Sequence, residues 1–228
     1  AKQGRDALTI EWDTDGVSRL DSARQMRDYR ALAATPGQPA ITADTGKLAA
    51  APKKISAVYE FPYLAHAPME PINCTVDLKD DACTLWVGSQ FQTFDQAAAA
   101  ATAGLKPEQV TLNTLMAGGG FGRRATPTSD FVVEAVNVAK ACKAAGHPGP
   151  VKLIWSREDD IRGGYYRPSH VHRADIGLDA AGNIVAWDHT IVGQSIIAGT
   201  PFEKFMVKDG IDATMVEGMG APYDVPLN

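Results

Sequence analysis

The run Gly118-Gly119-Gly120-Phe121-Gly122-Arg123-Arg124 places backbone with almost no side chains directly before two fixed positive charges. That composition suits an anion. Glycines adopt turns closed to other residues and leave their N–H groups uncovered, so successive donors can point into one concavity. The arginines add forked, permanently charged donors suited to phosphate. Downstream, Thr126-Pro127-Thr128-Ser129-Asp130 predicts a helix start, and the spacing of Phe131, Ala135, Val138 and Cys142 continues the helix to a stop near Gly146. Loop, charge and helix N-terminus would then meet at one place. The same letters also suit a plain turn between strand and helix with its arginines in solvent.

The two common nucleotide signatures are absent. A Walker loop needs a Lys-Ser/Thr pair after its last glycine, and here Arg123 and Arg124 follow Gly122. A Rossmann fingerprint needs Gly-x-Gly-x-x-Gly and an acid about 20 residues on to hold the ribose. The spacing here is Gly118-x-Gly120-x-Gly122, and that distance beyond it falls on Cys142-Lys143-Ala144.

Two further clusters lie upstream. Leu85-Trp86-Val87 predicts a short buried strand ending in Gly88-Ser89-Gln90, before an alanine-rich helix from Phe94 to Gly104. The Gln90 carboxamide can donate and accept but does not titrate, so it would orient a ligand and could not serve as acid or base. Alone it is an ordinary surface-loop residue. His66-Ala67-Pro68-Met69-Glu70-Pro71-Ile72-Asn73 follows the strand-like Val58-Tyr59-Glu60-Phe61, and by itself reads as a rigid turn.

Taken together, in this order and at these distances, the three clusters resemble the large, molybdenum-binding subunit of the xanthine dehydrogenase and aldehyde oxidase class. Within it they are similar to the beta subunit of isoquinoline 1-oxidoreductase and the membrane-associated bacterial aldehyde dehydrogenases. The likeness runs on to Tyr223-Asp224-Val225-Pro226 and is weak in the first fifty residues. It implies that Gln90 approaches the oxo ligand of molybdenum, and that Gly119, Gly120, Phe121, Gly122, Arg123 and Arg124 hold the pterin. No metal ligand is implied in this chain. Arg123 and Ala125 stand where xanthine dehydrogenases have a smaller residue and a purine-binding glutamate, which favours the isoquinoline or aldehyde branch. The implied cofactor is molybdopterin cytosine dinucleotide with molybdenum, acting on an aldehyde or N-heterocycle with oxygen from water. The implied partners are a small subunit with two [2Fe–2S] clusters and, beyond it, often a cytochrome c. The resemblance also suggests a bacterial periplasmic, membrane-associated or cytoplasmic setting. The glutamate base of that class lies in a Gly-x-Gly-Glu segment, which this sequence lacks.

At 228 residues with 45% hydrophobic content, the chain can bury a substantial core. It begins at Ala1 within a polar run, ends at Asn228, and reads as a piece of a larger subunit that is inactive and free of cofactor when isolated. No signal peptide or membrane-length apolar stretch occurs. A net charge of -5 and pI near 5.5 argue against a nucleic-acid partner, which needs a broad basic surface. Cys74, Cys83 and Cys142 are far apart, with no Cys-x-x-Cys to signal an iron–sulfur or zinc site.

The positioning elements follow. Residues 1–50 read as the tail of a preceding domain and a linker, with a strand at Leu8–Trp12 and a helical run from Ser18 to Ala33. Residues 51–228 alternate strand, loop and helix, which predicts an α/β (α+β) fold with a layered mixed sheet, part of a molybdopterin-binding domain by the resemblance. His170, His172 and His189 fall on a predicted hairpin. A three-residue loop would pair Leu178 with Ile184 and His172 with Thr190, leaving His189 opposite Arg173 on the other face. That register argues against a three-histidine metal site. Ser156 to Gly164, rich in both charges, predicts a solvated turn in which Arg157 or Arg162 is structural. Read without the resemblance, the glycine run leaves two other functions open, a phosphate or nucleotide-binding module and a non-catalytic interaction domain.

Overall fold

The computed structural model describes residues 2–41 and 45–217. Its elements are α1 (Lys2–Asp6), α2 (Ser22–Ala33), α3 (Thr45–Ala50), β1 (Lys53–Phe61), β2 (Asn73–Leu78), β3 (Cys83–Val87), α4 (Gln92–Ala103), β4 (Val110–Thr114) and α5 (Asp130–Ala144). They continue with β5 (Val151–Ile154), α6 (Arg157–Arg162), β6 (His170–Leu178), β7 (Ile184–Gly193), α7 (Glu203–Met206), β8 (Val207–Lys208), β9 (Ile211–Asp212) and α8 (Ala213–Val216). The Tyr223–Pro226 part of the resemblance lies outside the described residues.

Strict alternation makes β2 and β3 one-sided. Cys74, Val76, Cys83, Leu85 and Val87 are almost wholly buried, while Thr75 and Thr84 point the other way and keep contact with solvent. The four strands run β4-β3-β2-β5, with β3 and β4 parallel and the other pairs antiparallel. The parallel pair requires a crossover, which α4 supplies. Alanines at 99 and 100 let α4 approach closely, and Phe131, Val132, Ala135 and Val136 of α5 complete the core. Val138 and Cys142, placed on the inner face by spacing, are only half-buried because the buried stripe passes through Val132, Val136 and Ala139. The mixed, layered α/β expectation is met.

A second, antiparallel sheet, β1-β6-β7, carries α2 and α3 on one face. Val171 and Val192 are buried there against Ala33, with Met26 and Tyr29 packed alongside, and Arg30 pairs with Glu60. The division expected near residue 50 is therefore crossed by packing. The helix expected from Ser18 begins at Ser22, where the Asp21 carboxylate caps the free N–H groups of Ala23 and Arg24. The strand expected at Leu8–Trp12 is not formed. Its backbone has no ladder partner among the described residues, and Leu8, Ile10 and Trp12 stand 64%, 55% and 78% exposed.

The β6–β7 hairpin corrects a second expectation. Gly182 takes the left-handed conformation (φ +93) and Leu178 pairs with Ile184, both as anticipated. Between Gly177 and Leu178, however, a bulge shifts the register by one residue, so His172 opposes Ile191 and Ala174 opposes His189. Such a slip moves side chains to the other face. His189 therefore joins His170 and His172.

Leu85, fully buried in the four-stranded sheet, supplies a check on this core. Leu85→Ala should lower the unfolding free energy by about 2–5 kcal/mol in urea titrations. Leu32→Ala, at a site 57% exposed on α2, should stay within about 0.5 kcal/mol.

Candidate functional site

Topology brings the three clusters to one end of the four-stranded sheet. The parallel strands β3 and β4 both end there, releasing Gly88-Ser89-Gln90 and the segment from Leu115 to Arg124. Antiparallel β2 begins there, so the His66–Asn73 cluster arrives at the same edge, and β5 ends beside it with Ile154 opposite Asn73. The carboxyl ends of parallel strands are the usual place for a ligand in open α/β sheets.

Arg124 ties these loops together. Its side chain has no exposed surface. Nε donates to the Gly119 carbonyl at 3.0 Å, Nη1 to the Gly88 carbonyl at 3.3 Å, and Nη2 to the Glu70 carboxylate at 3.1 Å. Glu70 is held in turn by the Gly118 N–H at 2.8 Å and by Asn73 Nδ2 at 2.8 Å. The Gly118 amide, then Asn73 and the Arg124 charge, keep the Glu70 carboxyl below its ordinary 4.5. Arg157 completes the frame by donating to the Pro68 and Met69 carbonyls at 2.8 and 2.9 Å.

Arg123 is equally committed. It is 2% exposed, makes a bidentate pair with Asp130 at 3.0 and 2.7 Å, and lies over the Trp155 ring at 5.2 Å. A Cβ on Gly164, whose φ is +71, would stand 2.9 Å from the Arg123 guanidinium carbon, which explains the Gly-Gly end of α6. The expectation that both arginines offer their forks to a phosphate, like the alternative that they lie in solvent, is overturned. The helix N-terminus of α5 is also not open, because Asp130 in its first turn takes up Arg123 and Thr126. The Ser156–Gly164 stretch is the capped helix α6 rather than a solvated turn. Its buried Asp160 pairs with Arg157 and accepts from Ile72 N–H.

Neutral donors take the place of the arginines. The N–H groups of Gly119, Gly120, Phe121 and Gly122 meet no protein acceptor among the described residues, while their flanks are pinned by Gly118 N–H to Glu70 and Arg123 N–H to the Gly120 carbonyl. Positive φ at Gly119 (+107), Phe121 (+55) and Gly122 (+95) gives this run the shape of an anion-binding nest. Gln90 lies directly on it. A Cβ at Gly120 would come within 2.8 Å of the Gln90 amide carbon, so a side chain there would displace the carboxamide. Gln90 Oε1 accepts from Arg124 N–H at 3.3 Å, and its backbone N–H bonds to the Arg124 carbonyl at 3.1 Å. With the oxygen so engaged, the exposed amide end presents its NH2 as a donor. Beneath it, Ser89 Oγ donates to the buried Asp95 at 2.5 Å and accepts from Phe91 N–H at 3.0 Å, fixing the loop.

His66 is a site residue that sequence reasoning quoted but gave no task. Its Nε2 is the nearest atom to the open space above Gly122, 4.0 Å from a Cβ built there, and its buried Nδ1 has no hydrogen-bond partner among the described residues. Burial, with the charges of Arg123 and Arg167, holds its pKa below 6.5, so it faces the nest uncharged at neutral pH. Met69, Met116 and Phe121, 89%, 98% and 70% exposed, form an apolar rim on these loops. Among the described residues no group of three or more His, Cys, Asp or Glu could hold a metal. The arrangement can bind and orient an anionic ligand through uncharged donors.

The Glu70 contacts are testable through pH. Because its carboxyl sits below the ordinary 4.5 in the fold, its contribution is complete above that value and is lost as pH falls through the lower folded-state value. Glu70→Gln should therefore be clearly less stable than the parent at pH 7. The gap measured by urea denaturation should narrow at about pH 3.

Comparison with known proteins places the chain in a family. The chain is 34% identical over 71% of its length to isoquinoline 1-oxidoreductase subunit beta of Brevundimonas diminuta, covering 20% of that protein. It is 31% identical over 98% of its length to the membrane-bound aldehyde dehydrogenase (pyrroloquinoline-quinone) of Gluconacetobacter polyoxogenes, covering 28% of it. The chain thus spans less than a third of these relatives. In fold it is similar to quinoline 2-oxidoreductase from Pseudomonas putida 86, with a TM-score of 0.52 at 18% identity over 64% of this chain and 18% of that one. Residues 36–226, enclosing the whole Gln90 and Gly118–Arg124 site, match the molybdopterin cofactor-binding domain, and the chain belongs to that family.

Proposed function

We propose that this chain is the part of a molybdenum hydroxylase large subunit that holds the pterin and aims Gln90 at the metal centre, in an enzyme oxidising an aldehyde or N-heterocycle. The observation that carries the reading is the Gln90 carboxamide seated on Gly120 beside four successive N–H groups that meet no acceptor among the described residues. The residues fit the cofactor: a side chain at Gly120 would fill the place of Gln90, and the space over Gly122 is open to within 4.0 Å of His66. When bound, the cofactor supplies the two-electron chemistry and the water-derived oxygen. This chain's residues bind and orient. The amides of Gly119 to Gly122 are placed to meet the anionic and polar edge of the pterin, Gln90 Nε2 to donate toward an oxygen on the metal, and Phe121 to exclude water. The glutamate base that the resemblance implies belongs to a segment this sequence lacks, so we assign no base among these residues.

The cytosine dinucleotide form of the cofactor, a [2Fe–2S] partner subunit and a cytochrome c beyond it belong to the same proposal. Among the described residues, no helix is long and apolar enough to cross a membrane. A stand-alone phosphate module is less well supported, since both arginines that would neutralise phosphate are buried in internal ion pairs.

In the full-length subunit expressed with its partner, Gln90→Ala should keep molybdenum and lose turnover by a factor corresponding to about 2–4 kcal/mol. Gly122→Val should lower molybdenum per folded protein much further than it lowers the melting temperature, because valine is strained at φ +95 and enters ligand space. Normal turnover in the first variant with normal molybdenum in the second would remove both residues from the site.

A further inference from the structure

The bulge in β6–β7 creates a second cluster, on a different sheet from the strands that release the glycine run. His170 and His172 alternate onto the face of the three-stranded sheet opposite α2, and the shifted register sets His189 beside them. His172 Nδ1 and His189 Nε2 are 3.1 Å apart, with ring centroids 5.1 Å apart. The His170 ring is next along, 5.8 Å from that of His172, and its Nε2 has no hydrogen-bond partner among the described residues. It occupies the space over Gly193, where a Cβ would stand 2.8 Å from its Cγ. Among the described residues, the helices that pack on this sheet lie on the other face. Ile55, Tyr59 and Phe61, which share it, are 46%, 57% and 47% exposed, so small solutes can reach the pair.

We propose that His172 and His189 form a cross-strand chelate for a divalent transition-metal ion of the Zn2+ type, completed by water. Imidazole nitrogens bind zinc at about 2.0–2.1 Å, so two of them 3.1 Å apart subtend about 100° at one ion, near the tetrahedral angle. Without an ion, the same approach is a single N–H···N hydrogen bond. Burial, then the neighbouring His189 and His170, push His172 down to about 4, and burial lowers His189 as well. Both rings are therefore neutral at pH 7, the form a metal ion requires, and binding releases no proton from them. An ion here would pin β6 to β7 just beyond the bulge. Two protein ligands make the site weaker than a structural zinc centre. It is a separate site from the one that binds the pterin.

The test is calorimetric titration of the 228-residue chain with Zn2+ at pH 7.5. One saturable Zn2+ per chain is expected, together with a melting temperature that rises with Zn2+. His172→Gln and His189→Gln should each weaken binding at least tenfold and abolish the thermal shift. His147→Gln, at an exposed histidine beyond α5, should change neither. Nitrogen NMR of the unsubstituted chain keeps the test independent of how the variants fold. Zn2+ should shift the ring nitrogens of His172 and His189 together. Absence of saturable binding at roughly millimolar Zn2+, binding indifferent to both substitutions, or unshifted His172 and His189 nitrogens would each overturn the proposal.

Discussion

A guanidinium withdrawn from water must find an acceptor for its N–H groups, and the site is built around how Arg124 does so. Its three nitrogens reach three separate segments, the Gly119 carbonyl, the Gly88 carbonyl and Glu70. Each comes from a different one of the three clusters. In this arrangement all three loops serve the buried charge, so its solvation requirement ties together Gln90, the glycine run and the His66–Asn73 turn. Glu70 reinforces the constraint from the other side by accepting from Gly118 N–H.

That use of charge explains the neutrality of the cradle. Arg123 and Arg124 hold the frame, Asp130 and Glu70 cancel them, and what remains facing outward is amide, carboxamide, neutral imidazole and apolar rim. Preorganised neutral donors suit a ligand whose charge is spread over a large polar edge.

The sequence was legible where chemistry is local. The strand through Leu85-Trp86-Val87, the alanine-rich helix ending before Gly104 and the family likeness carried by the three clusters all stand as anticipated. What could not be read depends on tertiary partners. The direction of the Arg123 and Arg124 side chains is decided by Asp130 and Glu70, the latter fifty-four residues away, and nothing in Gly-Arg-Arg distinguishes a buried clamp from a phosphate fork. The hairpin register turned on a single bulged residue, which flips the face of His189. Leu8–Trp12 has the alternation of a strand, yet a strand without a partner has unpaired backbone and does not form. His66 carried only its place at the head of a conspicuous turn, a signal too common to assign a task.

The central claim is that one guanidinium assembles the cradle. Arg124→Lys keeps the charge and loses the fork, so an ammonium can serve only part of the set. Residue-resolved amide hydrogen exchange on this variant tests it most directly. The account predicts that the N–H groups of Glu70, Gly118 and Gln90 lose protection together, while those paired between β2 and β3 keep theirs. Unchanged protection at those three amides would contradict it.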